Sequence, residues 1–327
     1  MKYKSKIDIP VLLLFHARSD YFSIVFEQVR KARPSILLCY QDGPRNDTDM
    51  KGILECRRIV SEGVDWDCKL YTNYLSCNQG CDPSGYMSRK WAFSLVDKLV
   101  ILEDDCVPSF SFFQFCKVLL EQYENDERIS MITGINYMGV TECPYSYFFS
   151  SDVAIWGWAT WKRVFDKEEE FYDWKEDEYQ SILLQKLLKE RNERTSLFPM
   201  FQRHAKSGIA YFETIHMTYH FLNNCLSIVP AKNLINNIGI QGGTHYDTEI
   251  NLLPKGIRPL YEVKRYEIDF PLSSPKYVID NLFYKDSIDN LMARNQYFKQ
   301  KFRLWEGRFY KIKNCILCKL WFSQGKN

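Results

Sequence analysis

The chain has 327 residues, 46% of them hydrophobic and 26% charged, which is the composition of a folded globular protein and excludes a disordered or collagenous one. Its 43 lysine and arginine residues against 41 aspartate and glutamate residues leave a formal charge of +2, which argues against a protein built mainly to hold nucleic acid. The length allows two domains, or one large α/β domain with extensions.

The cysteines and the N-terminal segment indicate a reducing compartment. The chain has 11 cysteines, an odd number, and Cys39, Cys106, Cys116 and Cys225 stand inside apolar runs, where a thiol behaves as a small buried hydrophobe. The first apolar run is short and broken by Pro10, unlike that of a signal peptide, and no segment reaches the ~18 apolar residues of a membrane span. We therefore expect a cytoplasmic protein.

The first hundred residues alternate between apolar strands and amphipathic helices, a pattern typical of a doubly wound, mostly parallel sheet. Beyond them, one more helix and strand are followed by a highly charged helical stretch, which we expect to be a solvated face. The expected strands are 9–15, 35–40, 67–71, 98–102 and 129–133; the expected helices are 21–32, 50–62, 88–96, 112–123 and 168–194, with a loop at 78–85.

The strongest functional signal is the acidic triplet Glu103, Asp104 and Asp105 at the end of the apolar strand 98–102. Ligands of open α/β sheets bind at the carboxyl ends of the strands, and three adjacent acids repel one another unless a cation balances them. Carboxylate oxygens suit Mg²⁺ and Mn²⁺. The alternative is a solvated acidic turn that caps the next helix.

The segment 99–113, LVILEDDCVPSFSFF, resembles the glycosyltransferases of the GT-A fold that use nucleotide-diphosphate sugars. It is similar in particular to the inverting Golgi N-acetylglucosaminyltransferases, whose aspartate-x-aspartate motif takes the form EDD, and to their bacterial relatives. The resemblance covers roughly residues 9–247 and extends to the segments FHAR (15–18), QDGPR (41–45), RKWAF (89–93), WGWATW (156–161), LSIVP (226–230) and the stretch from Asn233 to His245.

The resemblance implies roles for residues at several of these segments. Asp105 would be the metal ligand, with Mn²⁺ or Mg²⁺ as the cofactor, while Asp104 would face the ribose and Glu103 the nucleotide. Asp42 would accept the N3 hydrogen of uracil. Two guanidinium groups, those of Arg18 and Arg89, are expected to bind ribose or phosphate oxygens, as forked donors do.

A transferase of this class needs a base for the acceptor hydroxyl. Glu213, in the segment AYFETIH (210–216), matches the position of an acid in the bacterial relatives and is the predicted base, with His216 as the alternative. The resemblance also implies that His245 touches the metal or the diphosphate. Trp158, in the WGWATW segment, is expected to lie beneath the donor sugar, because indole faces stack on sugar rings.

The sequence thus predicts an α/β protein of the GT-A type: a Rossmann-like, mostly parallel sheet flanked by helices, with a C-terminal helical and aromatic extension. Residues 1–250 would form the catalytic domain (1–135 for the nucleotide-sugar, 136–250 for the acceptor and catalysis) and 251–327 the extension. The expected reaction moves a sugar, with inversion, from a UDP-linked donor to a glycan or lipid-linked acceptor. A sugar nucleotidyltransferase and a non-catalytic nucleotide- or sugar-binding module remain as alternatives.

The last segment, 303–322, mixes basic and aromatic residues at helical spacing. A basic helix with aromatic edges is suited to the headgroup region of an anionic bilayer, at the inner face of the cell membrane. The alternative is a terminal helix packed on the catalytic domain.

Overall fold

The predicted fold class is confirmed: the chain forms a mostly parallel, Rossmann-like α/β sheet flanked by helices. The computed structural model describes residues 2–191, 193, 196–240, 250, 253, 258–292, 305 and 309. The strands in this part of the chain are β1 (Ile7–Phe15), β2 (Pro34–Gln41), β3 (Lys69–Tyr74), β4 (Lys98–Glu103), β5 (Cys106–Pro108), β6 (Ile129–Thr133), β7 (Tyr147–Ser150), β8 (Trp158–Trp161), β9 (Leu226–Pro230) and β10 (Ile235–Asn237).

The main sheet has the order β3-β2-β1-β4-β8-β6-β9-β7. Strands β3, β2, β1 and β4 run parallel, β8 runs antiparallel to both of its neighbours, and β7 runs antiparallel to β9. The short strands β5 and β10 pair with each other in a separate antiparallel ribbon.

Helices cover both faces of the sheet. They are α1 (Ser19–Ala32), α2 (Asp49–Gly63), α3 (Cys81–Ala92), α4 (Phe110–Gln122), α5 (Lys162–Phe165), α6 (Glu178–Glu190), α7 (Leu197–Ser207), α8 (Phe212–Leu222), α9 (Arg258–Tyr261) and α10 (Leu282–Met292), with a 3₁₀ turn at Asp173–Glu176.

The side chains of β1 alternate between two hydrophobic cores, because successive residues of a strand point to opposite faces. Val11 and Leu13 pack in the core formed with α1, α2 and α4, whereas Leu12 packs in the core formed with α3, α6, α7 and α8. A strand buried on both faces reads as a continuous apolar run, which is why β1 and β4 were recognisable in the sequence.

The strand register brings three chain segments to one edge of the sheet. Phe15 at the end of β1 pairs with Gln41 at the end of β2, and Leu14 pairs with Glu103 at the end of β4. The residues that follow these strands therefore meet at the carboxyl edge, where ligands of open α/β sheets bind.

Two expectations from the sequence differ from the structure in the region of α3 and α6. Helix α3 begins at Cys81, inside the expected loop 78–85, and ends at Ala92. The charged stretch 168–194 is not one solvated helix, because Glu168 is buried and α6 begins only at Glu178. Glu168 pairs with the buried Arg89 in the core. The number of charges along the stretch does not indicate that one of them is buried.

The described part of the expected extension packs against the sheet domain. Glu267 accepts hydrogen bonds from the backbone N–H groups of Phe110 (3.0 Å) and Ser111 (2.7 Å), at the start of α4. The ring of Tyr284, on α10, lies 4.8 Å from that of Phe148 on β7. No helix in the described ranges is long and apolar enough to cross a bilayer. Apart from Trp305 and Phe309, the segment 303–322 lies outside the described residues.

Candidate functional site

An arginine and two aspartates from different strand ends meet at the carboxyl edge of the sheet. Arg18, which follows β1, donates from Nη2 to Asp105 Oδ2 at 2.8 Å and from Nε to Asp104 Oδ2 at 3.3 Å. A further hydrogen bond joins its Nη2 to Asp104 Oδ1. The two aspartates are buried, while about a quarter of the Arg18 side chain is exposed. The structure thus places Arg18 on the acidic triplet, a contact that the sequence analysis did not predict, and its expected role toward ribose or phosphate oxygens stays a prediction.

The acidic cluster carries more negative charge than Arg18 neutralises. Burial raises the pKa of Glu103 well above its usual value, and the neighbouring Asp105 and Glu213 raise it further. Burial also raises the pKa of Asp104 to about 6, against the opposing effect of Arg18. Glu213 lies in the first turn of α8, so that helix brings an exposed carboxylate towards the triplet. A cation or a proton at this edge would relieve the repulsion.

Three residues that the sequence analysis did not single out contact Asp105. Asn237 Nδ2 donates to Asp105 Oδ1 at 3.2 Å, and the backbone N–H of Ile238 donates to the Asp105 carbonyl at 2.9 Å. Gly239 lies against the same side chain, since a Cβ at this position would collide with the Asp105 carboxylate. The signal in the sequence was the polar pair Asn236–Asn237 directly after two buried apolar residues, Leu234 and Ile235.

Asp42 holds a neighbouring loop in place at the end of β2. Its carboxylate accepts four hydrogen bonds: from the backbone N–H groups of Gly43 (2.8 Å), Gln79 (2.8 Å) and Gly80 (3.0 Å), and from Asn78 Nδ2 (2.9 Å). A carboxylate has about four acceptor positions, so these donors saturate it. Asp42 thus anchors the loop before α3 to the end of β2, and its expected contact with uracil stays a prediction.

Arg89 and Trp158 belong to the core rather than to the site. Both side chains are 1% exposed. Arg89 Nη1 donates to Glu168 at 2.9 Å, and its guanidinium lies 5.6 Å from the Trp158 ring. His216 contacts the same carboxylate at 2.8 Å. Because these side chains have almost no accessible surface, the expectation that Arg89 and Trp158 contact the donor is corrected, and His216 is a packing residue.

Gly157 also has a packing explanation. Its φ is +61°, which favours glycine, and a Cβ would collide with Ile235. The glycine between the indoles of Trp156 and Trp158 therefore lets the chain pack against the strand β10.

The donor set suits a hard divalent cation that takes most of its ligands from a phosphorylated molecule. Asp104 and Asp105 offer carboxylate oxygens, and Mg²⁺ is commonly held by one or two carboxylates together with substrate phosphates. Among the described residues, no group of three or more His, Cys, Asp or Glu side chains is arranged to hold a metal ion by itself. His245, expected at the metal or the diphosphate, lies outside the described residues.

Fold and site together define an α/β protein with a mostly parallel sheet and an acidic cluster at its carboxyl edge. No protein-family model matches the chain, and no curated protein matches it. Among solved structures, an inositol-1-phosphate CTP transferase from T. maritima is similar at 10% identity and a TM-score of 0.34, over 81% of this chain and 100% of the other.

A second solved structure, TrmK of M. capricolum in complex with S-adenosyl-homocysteine, is similar at 10% identity and a TM-score of 0.18, over 66% of this chain and 94% of the other. Likeness at this level does not assign an activity.

Proposed function

We propose that this protein is a metal-dependent glycosyltransferase that transfers a sugar from a nucleotide-diphosphate donor, UDP-linked, to a glycan or lipid-linked acceptor with inversion. The observation that carries the proposal is the meeting of Arg18, Asp104 and Asp105 with Glu103 and Glu213 at the carboxyl edge of the sheet. Excess negative charge beside a guanidinium is the combination that a cation-bound diphosphate requires.

Arg18 would hold the diphosphate. Its Nη1 atom is buried and has no hydrogen-bond partner within the described part of the chain. A buried donor without a partner costs free energy, which a phosphate oxygen at this atom would recover. A guanidinium also presents its donors in a fork that matches phosphate geometry.

Asp105 would hold Mn²⁺ or Mg²⁺, which when bound neutralises charge on the leaving diphosphate. Asp104, for which the resemblance implied a contact with the ribose, shares Arg18 with Asp105 and would offer the ion a second carboxylate. Asn237 keeps the Asp105 carboxylate in one orientation, and Gly239 leaves the space that this carboxylate needs. The protein itself thus contributes a fixed acceptor rather than a side chain that must be ordered when the donor binds.

Glu213 would accept the proton of the acceptor hydroxyl. It is exposed and lies in the first turn of α8, close enough to Glu103 to affect the pKa of that carboxyl. An exposed carboxylate across from a buried metal-binding pair has access both to the donor sugar and to an acceptor that arrives from solvent.

The test is a panel of UDP-, GDP- and CMP-sugars, each with Mn²⁺, followed by thermal stabilisation and by release of the free nucleotide. We expect the UDP-sugars to raise the melting temperature only when Mn²⁺ is present and to be hydrolysed slowly without an acceptor. Stabilisation by none of the donors, with or without metal, would contradict the proposal.

The same panel separates the alternatives. A sugar nucleotidyltransferase would instead release pyrophosphate from a nucleoside triphosphate and a sugar phosphate, so both are included as substrates. A binding module would be stabilised by a donor that it never consumes, even when candidate acceptors are supplied.

A docking role at an anionic membrane surface, which would bring the site to a lipid-linked acceptor, forms part of the proposal. Besides the basic segment 303–322, Tyr277, Ile279, Leu282 and Phe283 expose between 65% and 87% of their surfaces. We expect the full chain to sediment with anionic vesicles at low salt, and the double substitution Ile279→Ser with Phe283→Ser to reduce this. If the double variant sediments with the vesicles as well as the wild type does, these side chains do not contribute to membrane docking.

A further inference from the structure

Arg18 occupies the carboxylates that a metal ion would need. One nitrogen, Nη2, donates to both Asp104 and Asp105, and Nε donates to Asp104 as well. The guanidinium therefore sits between two acids that follow one another in the chain. A divalent cation at Asp105 Oδ2 would have to replace this hydrogen bond, because the two positive charges repel and would share the same oxygen.

The contacts around Asp105 differ in how readily they can be exchanged. Asn237 and Gly239 belong to the ribbon of β5 and β10 and its continuation, whose backbone is hydrogen-bonded to residue 105 itself. Arg18 approaches from the loop between β1 and α1 on a long side chain, a quarter of which is exposed, with the Tyr21 ring 5.4 Å from its guanidinium carbon. Asp105 is thus held by contacts anchored in the backbone ribbon, whereas Arg18 is held through a partly exposed side chain.

We infer that Arg18 is an internal counter-ion which competes with a divalent cation for Asp104 and Asp105. The inference rests on the proposed function, since a nucleotide diphosphate is the anion that would draw the guanidinium away. With two carboxylates as the protein's only described contribution, a metal ion alone has few ligands and must displace a bound arginine. A bound diphosphate adds oxygen ligands for the metal ion, and it gives Arg18 a new hydrogen-bond partner once the metal has displaced it from the carboxylates.

Metal and nucleotide should therefore bind with positive coupling. By linkage, the factor by which UDP tightens Mn²⁺ binding equals the factor by which Mn²⁺ tightens UDP binding. Removal of the Arg18 guanidinium should change the two affinities in opposite directions. Mn²⁺ should bind more tightly because its competitor is gone, and the nucleotide should bind more weakly because the diphosphate loses a hydrogen-bond donor.

The experiment measures Mn²⁺ binding to the full chain by calorimetry and by the spin-resonance signal of free Mn²⁺, without and with UDP. For Arg18→Gln we expect Mn²⁺ alone to bind at least about tenfold more tightly than to the wild type, and UDP in the presence of Mn²⁺ to bind at least about tenfold more weakly. Arg18→Lys, which keeps the charge, should bind Mn²⁺ alone like the wild type.

The matched control is Arg30→Gln, at the other end of α1. Arg30 also donates two hydrogen bonds to one aspartate, Asp65, but lies away from the acidic cluster. This variant should leave both affinities unchanged. Unchanged or weaker Mn²⁺ binding by folded Arg18→Gln, as judged by circular dichroism, would overturn the inference.

A second measurement covers the case in which Arg18→Gln does not fold. The wild type should bind Mn²⁺ at least about tenfold more tightly with UDP than without it, and equal Mn²⁺ affinities under conditions in which UDP itself binds would also overturn the inference. If no nucleotide binds but Arg18→Gln still gains affinity for Mn²⁺, the competition stands and the proposed transferase function fails.

Discussion

Arg89 and Glu168 form an ion pair in the protein interior, with N–O distances of 2.9 and 2.8 Å and side-chain exposures of 1% and 0%. Burial by itself would raise the pKa of Glu168, but Arg89 and the hydrogen bond from His216 outweigh it, and the pKa is lowered. The pair joins α3 to the segment before α6, and His216 ties α8 to the same carboxylate. It thereby fixes the helix that carries Glu213.

Removal of one partner of this pair should be strongly destabilising. We expect Glu168→Leu to lower the free energy of unfolding by about 3–5 kcal/mol, because it leaves the Arg89 charge buried without compensation. The contribution of a carboxyl with a lowered pKa is present above its unfolded pKa and is lost as the pH falls through its folded pKa, so the difference should shrink in acid. Urea unfolding at several pH values measures both effects.

The control for that experiment is Glu170→Leu, whose partner Lys90 is about half exposed. A surface pair of this kind contributes about 0–1 kcal/mol. Equal costs for the two substitutions would show that the interior pair contributes no more to stability than a surface pair does.

Asp42→Asn should weaken the binding of every nucleotide by a similar factor. The substitution leaves one acceptor oxygen for four donors, so the loop at 78–80 loses its anchor, and we expect a cost of about 1–3 kcal/mol in stability. Affinities for UDP and CDP, compared with those of the exposed control Asp47→Asn, measure the effect. A switch of preference from UDP to CDP would mean that Asp42 reads the base directly.

Asp104→Asn should stabilise the protein while it reduces nucleotide binding. Because burial raises the pKa of Asp104 to about 6, the native state binds more protons than the unfolded state between about pH 4 and 6, and stability falls as the pH rises through that interval. The neutral side chain escapes this cost, so we expect a gain of about 1–3 kcal/mol at pH 7.5 and almost none at pH 4.

Thermal unfolding at the two pH values tests this gain, with the exposed Asp67→Asn as the control. A loss of stability at pH 7.5 would show that the hydrogen bonds to Arg18 outweigh the burial of the charge. Substitutions that raise stability but weaken ligand binding, as we expect for Asp104→Asn, are common at functional sites.

Glu213→Gln should bind the donor normally and lose transfer by about two to four orders of magnitude, which is the typical contribution of a positioned base. Single-turnover transfer and donor affinity, measured together, separate the two effects, and the exposed Glu178→Gln serves as the control. An active Glu213→Gln beside an inactive His216→Ala would reassign the base.

Glu267→Ala should destabilise the protein even though the residue is exposed. Its carboxylate accepts from two backbone N–H groups at the start of α4, where a negative charge also interacts favourably with the helix dipole. We expect a cost of about 1–2 kcal/mol, measured by chemical unfolding against the exposed control Glu262→Ala. Equal stability of the two variants would mean that the segment around residue 267 is not held at α4 by this contact.

The sequence by itself determined the first parallel strands of the sheet and the acidic edge, but not β7, β8 and β9. Strands β1, β2, β4 and β6 were recognisable because residues buried on two faces must be apolar, and the triplet that follows β4 was recognisable because acids are unfavourable there without a partner. Periodicity is a local property, so elements that depend on it were placed within a few residues. The exceptions were α3, whose N-terminal turn begins among glycine and cysteine, and the charged stretch around Glu168.

Only the tertiary structure decided which side chains meet. Asn237 and Gly239 reach Asp105 through a pairing of two three-residue strands more than a hundred positions apart, and no local pattern encodes such a contact. Likewise, the fold buries Arg89 and Trp158 in the core and brings hydrogen-bond donors from a distant loop to Asp42. The partners of a polar group depend on the fold and cannot be deduced from the residue type. Residue chemistry limits what a side chain can do, and its neighbours in space select among those possibilities.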